Sequence, residues 1–197
     1  MKVFNFPIFN TLISVSNLNN KKLNDKLLKY CKKISKTKGK KVSNEGGFQS
    51  DFIDNSLIKD FFEETKKYII NYINCYNIEE SYDPIFLGAW FNINNKGDFN
   101  KTHHHFLAEN VSYFSAVYYL KVFKNCGNIT FINPDFYHKL NPFFLKKFKS
   151  FNTFNSSEYW VEPKEMDLII FPSSLSHYVK PNLSNQERIS LAFNIKI

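Results

Sequence analysis

Apolar and polar positions follow two different rhythms along this chain, a helical one up to about residue 80 and an extended one from Pro84 onward. From Asn19 to Ser35, Leu23, Leu27, Leu28 and Ile34 line one side and lysines the other, which predicts an amphipathic helix. A second helix is predicted from Ser56, read as its N-cap, to about Cys75, with Leu57, Phe61, Phe62, Tyr68 and Ile69 as its apolar stripe. Ahead of them, Val3 to Phe9 reads as a short strand ended by Asn10. Between them a Lys/Gly loop runs into Ser43 to Asp51, whose Gly46-Gly47 pair interrupts regular structure. Past Pro84 the runs Ile85 to Ile93, Tyr113 to Val122, Asn128 to Ile132, Leu168 to Phe171 and Arg188 to Ile195 are β-branched or aromatic, with Asn, Gly and Pro between them. Asn133 to Ser157 fits no element and reads as a long surface excursion that could serve as a lid. Two helices followed by at least six strands predict an α+β fold. Its core is an antiparallel double-stranded β-helix, or cupin-like jelly roll, over 84–197, braced by helices in 1–80.

Composition narrows the class. The 197 residues suit one well-cored domain spanning 1–197, and 43% apolar content with 22 Phe excludes a disordered chain. The net charge of +8 comes partly from lysines gathered at Lys21-Lys22, Lys32-Lys33 and Lys36 to Lys41. A solvated helix face accounts for them, and nothing reads base edges. Cys31, Cys75 and Cys126 are widely spaced and odd in number, which argues against a disulfide framework and for a reducing compartment. The N-terminus makes a poor signal segment and no run approaches the ~18 apolar residues of a membrane span. A soluble, cytoplasmic protein without membrane partners is the expectation.

The chemistry lies between His103 and Arg188. His103 and His105 form an HxH pair, which on a strand points both imidazoles to one face, while His104 points away. A distant His177, taken to lie on a strand of the facing sheet, would complete three ligands around one ion, leaving open positions as a non-haem Fe(II) centre requires. Three adjacent histidines can equally be a polar strand edge. Arg188 heads an apolar strand, where burying an unpaired guanidinium is costly, so a buried Arg188 implies an anion such as a dicarboxylate. The plainer alternative is a head that reaches solvent or pairs near Glu187.

At these residues the chain resembles the 2-oxoglutarate/Fe(II)-dependent oxygenases, specifically small prolyl-hydroxylase-like members of marine bacteria and phages. The matching pieces run in order over residues 43–197. They are Ser43-Asn-x-Gly-Gly-Phe-Gln-Ser50, Trp90-x-Asn92, Lys96-Gly97 with Asn100-x-x-His103-x-His105, and Ser115-Ala-Val-Tyr-Tyr-Leu120. Further on come Phe171-Pro-Ser-x-Leu-x-His177-x-Val-x-Pro-Asn182 and Arg188-Ile-Ser-Leu-Ala-Phe-Asn194. The resemblance implies a hydroxylase using Fe(II), O2 and the cosubstrate 2-oxoglutarate, with succinate and CO2 as products. By it, His103, His105 and His177 would hold the iron. Arg188 would grip the distal carboxylate of 2-oxoglutarate, assisted by Ser190 and Tyr119, with Asn92 and Asn100 as further pocket wall. Strand parity from Tyr119 adds Val117, Ser115 and Tyr113 to the interior face.

One departure from the superfamily stands out: its commonest triad is HxD…H, and here His105 replaces the aspartate. A neutral third ligand leaves more positive charge on the metal; Glu109 is the alternative carboxylate. Ser43 to Asp51 is either an interhelical turn or a loop at the pocket mouth offering Phe48 or Gln49 to substrate. Trp90 and Trp160 read as packing groups and His138 as a bystander. A protein side chain or a small molecule is the expected substrate, and only the +8 charge favours a nucleobase. The competing readings are a cupin-like three-His metalloenzyme that uses no 2-oxoglutarate, and a non-catalytic jelly-roll binding module.

Overall fold

Strands that carry apolar residues at every position need cover on both faces, and here they find it: helices on one side and a second sheet on the other. The computed structural model describes residues 3, 10–78, 83–105, 112–136 and 147–197. Eleven strands are described in it: β1 Ser14–Asn17, β2 Asn44–Glu45, β3 Phe48–Gln49, β4 Ile85–Asn94, β5 Phe99–His103, β6 Phe114–Lys121, β7 Ile129–Ile132, β8 Glu158–Val161, β9 Asp167–Pro172, β10 His177–Val179 and β11 Arg188–Lys196. The helices are α1, Lys21–Ile34, and α2, Lys59–Asn74. A six-stranded sheet has the order β1-β9-β6-β11-β4-β3, and a five-stranded sheet the order β2-β5-β10-β7-β8. The strand pairings are antiparallel. This is the expected α+β jelly roll.

Alternate residues of the six-stranded sheet therefore serve two interiors. Ala116, Tyr118 and Leu120 of β6, Leu191 and Phe193 of β11 and Phe91 of β4 join Leu23, Leu27, Phe61, Phe62 and Ile69 of the helices in one buried cluster. Val117 and Tyr119 of β6 and Ile169 and Phe171 of β9 face inward instead, against Ile129 and Phe131 of β7. Phe61, fully buried, sets its ring 5.0 Å from Tyr118 and 5.6 Å from Phe193.

Several local expectations are corrected. Asn20 caps α1, its side chain accepting from the Leu23 N–H at 3.1 Å. Asp54, not Ser56, is the cap ahead of α2. Its carboxylate accepts from the Ser56 N–H at 2.9 Å and starts a 3-10 turn, Asn55–Ile58, that runs into the helix. Leu57 sits in that turn and is 54% exposed, so the apolar stripe begins at Ile58. Ser43 to Asp51 is more regular than its glycines suggest: β2 pairs with β5 of one sheet and β3 with β4 of the other. Gly46 and Gly47, at φ 71° and 63°, make the crossing, and a Cβ on Gly47 would lie 2.3 Å from the Ile93 carbonyl oxygen. The predicted strand Val3 to Phe9 falls outside the described residues except for Val3, as does much of the excursion Asn133 to Ser157.

Candidate metal centre

β5 ends on His103 and β10 begins on His177, and these two residues are register partners on adjacent strands. His177 therefore lies in the same sheet as His103, not in the facing one. Antiparallel pairing brings it close without help from the opposite layer, and the two ring centroids are 4.3 Å apart. His105 lies just past the end of β5. Its N–H donates to the Ser173 carbonyl at 2.8 Å, and its ring comes to 5.1 Å from both other imidazoles. His104, between them, is exposed. One nitrogen of each of the three rings lies within 4.8 Å of the others.

Hydrogen bonding decides which nitrogen each ring can offer. His103 Nδ1 lies 2.7 Å from the Lys101 carbonyl oxygen, and His177 Nδ1 lies 2.9 Å from that of Leu175. A carbonyl only accepts, so both Nδ1 atoms carry the proton and both Nε2 atoms keep a lone pair. His105 Nδ1 is 2.8 Å from Asn194 Oδ1, which leaves its Nε2 free in the same way. Burial, with the other two imidazoles adding repulsion, pulls His177 down to about 3. Burial likewise lowers His105 to about 4, against the opposing effect of its hydrogen bond to Asn194 Oδ1, and it lowers His103. All three rings are neutral near pH 7. Around them, Phe171 packs edge-on to His177 at 4.7 Å and Trp90 lies 5.4 Å from His105.

Arg188 is 2% exposed, so its head does not reach solvent. Its Nη1 donates to the carbonyls of Cys126 and Gly127 at 3.0 and 3.1 Å. Among the described residues no carboxylate lies within ion-pair distance of it, and Glu187 instead faces Lys121 at 3.9 Å. Burial lowers the Arg188 pKa, yet guanidinium stays charged over any ordinary pH. Gly127, at φ 90°, makes this possible: a Cβ there would meet the Lys180 carbonyl oxygen at 2.1 Å and Arg188 Nη1 at 2.9 Å. One strand-step on, Ser190 is paired with Tyr119 of β6 and Asn92 of β4. Burial raises the Tyr119 phenol, so it stays protonated as a donor, although Arg188 works in the opposite direction. Asn92 Oδ1 is buried without a hydrogen-bond partner.

His103, His105, His177, Arg188, Ser190, Tyr119, Asn92 and Asn100 thus converge on one cavity of about 50 Å³ between the sheets, also lined by Trp90 and Ser43. A second, larger cavity of about 410 Å³ is walled by Phe131, Leu175, Asn133, Phe154, Glu158 and Tyr159. The chemistry-bearing groups are in the smaller space. Phe48 packs toward the helices, Gln49 is buried opposite Asn92 of β4, and of the 43–51 segment Ser43 lines the cavity. Tyr113 is exposed and off the strand, and Trp160 is exposed; Glu109 and His138 fall outside the described residues. Asn194, quoted in the Arg188-to-Asn194 motif, carries no role in the sequence reading, and the Cys126–Gly127 carbonyls have none either. Asn194 could have been found, since it shares strand parity with Arg188 and Ser190.

Three neutral imidazoles with free Nε2 atoms suit a divalent first-row metal, and the carboxylate-free Arg188 suits an anionic ligand. The model of a family described as "Putative 2OG-Fe(II) oxygenase" matches residues 88–194. No curated protein matches the sequence. Among solved structures, a Pseudomonas putida prolyl-4-hydroxylase is similar at a TM-score of 0.66 and 19% identity, over 94% of this chain and 92% of that one. The viral collagen prolyl hydroxylase of Paramecium Bursaria Chlorella virus-1, solved with 2OG, is similar at 0.60 and 15%, over 93% and 94%. HygX of Streptomyces hygroscopicus, with nickel, 2-oxoglutarate and hygromycin B bound, follows at 0.59 and 10%, over 94% and 82%.

Proposed function

Because the chain belongs to the 2OG-Fe(II) oxygenase family, we propose that it is a hydroxylase whose His103, His105 and His177 hold Fe(II) and whose Arg188 anchors 2-oxoglutarate. The observation that carries this reading is the convergence of three imidazoles, each with Nδ1 against an oxygen acceptor, beside a buried guanidinium that has no carboxylate partner among the described residues. Bound together, the metal and cosubstrate supply O2 activation coupled to decarboxylation, yielding succinate, CO2 and one oxygen atom for a substrate C–H bond. The chain's own part is positional. Lys101, Leu175 and Asn194 hold the rings in one tautomer, and Arg188 fixes the distal carboxylate with the help of the Ser190 and Tyr119 hydroxyls and the Asn92 amide. Trp90, Phe171 and Phe131 keep water from the reacting face. Residues 1–197 act as one catalytic domain in this reading.

For the substrate, a protein side chain is favoured. Two prolyl hydroxylases are among the similar structures, and the cavity of about 410 Å³, lined in part by Phe131, the register partner of His177, has room for a residue presented on a peptide. A small molecule is the second reading, supported by the likeness to HygX with hygromycin B bound.

Anaerobic titration of the Fe(II) protein with 2-oxoglutarate tests the proposal through the visible metal-to-ligand charge-transfer absorption. The band is expected in the wild type, lost in His177→Ala, and shifted to much higher cosubstrate concentration in Arg188→Ala. Metal uptake without any response to 2-oxoglutarate would point to a cupin-like three-His enzyme instead. Failure to bind metal would leave a jelly-roll binding module.

A further inference from the structure

A histidine standing where this superfamily commonly has aspartate brings a difficulty with it. A carboxylate has no tautomer to fix, whereas a neutral imidazole presents its Nε2 lone pair only with the proton on Nδ1, a tautomer that an acceptor at Nδ1 favours and orients. For His103 and His177 a carbonyl from their own strand or turn does this, two residues back in each case. His105 lies beyond β5, and its partner is a side chain from the other sheet, Asn194 of β11. We infer that Asn194 is the positioning residue that makes His105 a competent ligand; the inference rests on the three-His centre proposed above.

The surroundings leave Asn194 Oδ1 little freedom. It also accepts from Ser115 Oγ at 2.9 Å, and with that proton committed, the neighbouring Ser173 hydroxyl donates to Ser115 Oγ at 2.8 Å. Ser115 and Ser173 are fully buried. Ser173 also accepts the His105 N–H through its own carbonyl. The hydrogens therefore run in one direction, from Ser173 to Ser115 to Asn194, where they meet the proton of His105. A two-fold acceptor is required at that point, which an amide oxygen or a carboxylate provides and an alkyl group does not. Ser115, on β6, pairs with Asn194 in register, so the acceptor is held by the sheet itself.

The test uses the full chain with Asn194→Leu, which keeps the volume and removes the acceptor, and Asn194→Asp, which restores it. Imidazole ¹⁵N shifts of the metal-free protein report the His105 tautomer, and Co(II) titration reports affinity. The expectation is an Nδ1–H His105 in the wild type, about 10- to 100-fold weaker Co(II) binding in Asn194→Leu, and recovery to near wild type in Asn194→Asp. Equal Co(II) affinity in Asn194→Leu, or no recovery in Asn194→Asp, overturns the inference while leaving the centre intact. An Nε2–H His105 in the wild type overturns it even if the leucine variant does not fold. A wild type that takes up no Co(II) at all removes the centre itself, and this role with it.

Discussion

Burying Arg188 costs the folded chain stability, a cost that the bound carboxylate of the proposed function would offset. A guanidinium held by two carbonyls, with no carboxylate beside it among the described residues, keeps a desolvation penalty on the order of several kcal/mol. Replacing it by methionine, of similar length, is expected to leave the metal-free protein as stable as the wild type or more so. The same change is expected to weaken 2-oxoglutarate binding by roughly 30- to 150-fold, the loss of about 2–3 kcal/mol of charge-assisted hydrogen bonding. Calorimetric titration beside thermal melts reads both effects, and parallel losses of stability and affinity would contradict the argument. Gly127→Ala should lower stability and affinity together. Its Cβ strikes the Lys180 carbonyl and crowds Arg188 Nη1 at a backbone angle that side chains avoid, so about 1–3 kcal/mol of stability is lost along with cosubstrate affinity. Denaturant unfolding of the apo protein measures the first part.

Among the elements, α1 and α2 were legible because a 3.6-residue spacing of leucines and aromatics has one reading. The long strands β4, β6, β9 and β11 were legible for the same sort of reason, being β-branched or aromatic throughout. What escaped was short or polar. β1, Ser-Val-Ser-Asn, is a strand because β9 offers it an edge, and β2 and β3 exist because two neighbouring strands pair with a two-glycine crossing. The three histidines were found by spacing, yet the sheet that holds His177 was misjudged: sequence distance says nothing about which strands become neighbours in a jelly roll. The helices touch only the outer face of the six-stranded sheet, which separates bracing from chemistry. Phe61→Ala is accordingly expected to cost about 3–5 kcal/mol in urea unfolding, with 2-oxoglutarate affinity per folded molecule unchanged. A site-wide loss of affinity in that variant would show that the layers are not independent.

For the molecule as a whole, the proposed centre would join two adjacent strands of the five-stranded sheet, His103 on β5 and His177 on β10, to the other sheet, on which His105 leans through Asn194. Metal binding should therefore stabilise the entire fold. At a free Co(II) concentration 100 times its dissociation constant the gain is about 2.7 kcal/mol, or a rise in Tm of roughly 5–10 °C. The rise should be reversed by a chelator and absent in His177→Ala; a melt indifferent to metal would speak against a shared site. Among the described residues no helix is long and apolar enough to cross a membrane, and the three cysteines are unpaired. The double duty of β4, β6 and β11 carries a last implication, for ancestry. Deleting one residue in any of them would trade the reactive lining for wall-packing groups all along that strand, whereas point changes disturb one side alone. Relatives with new specificities should thus differ by replacements within these three segments and by length only between them.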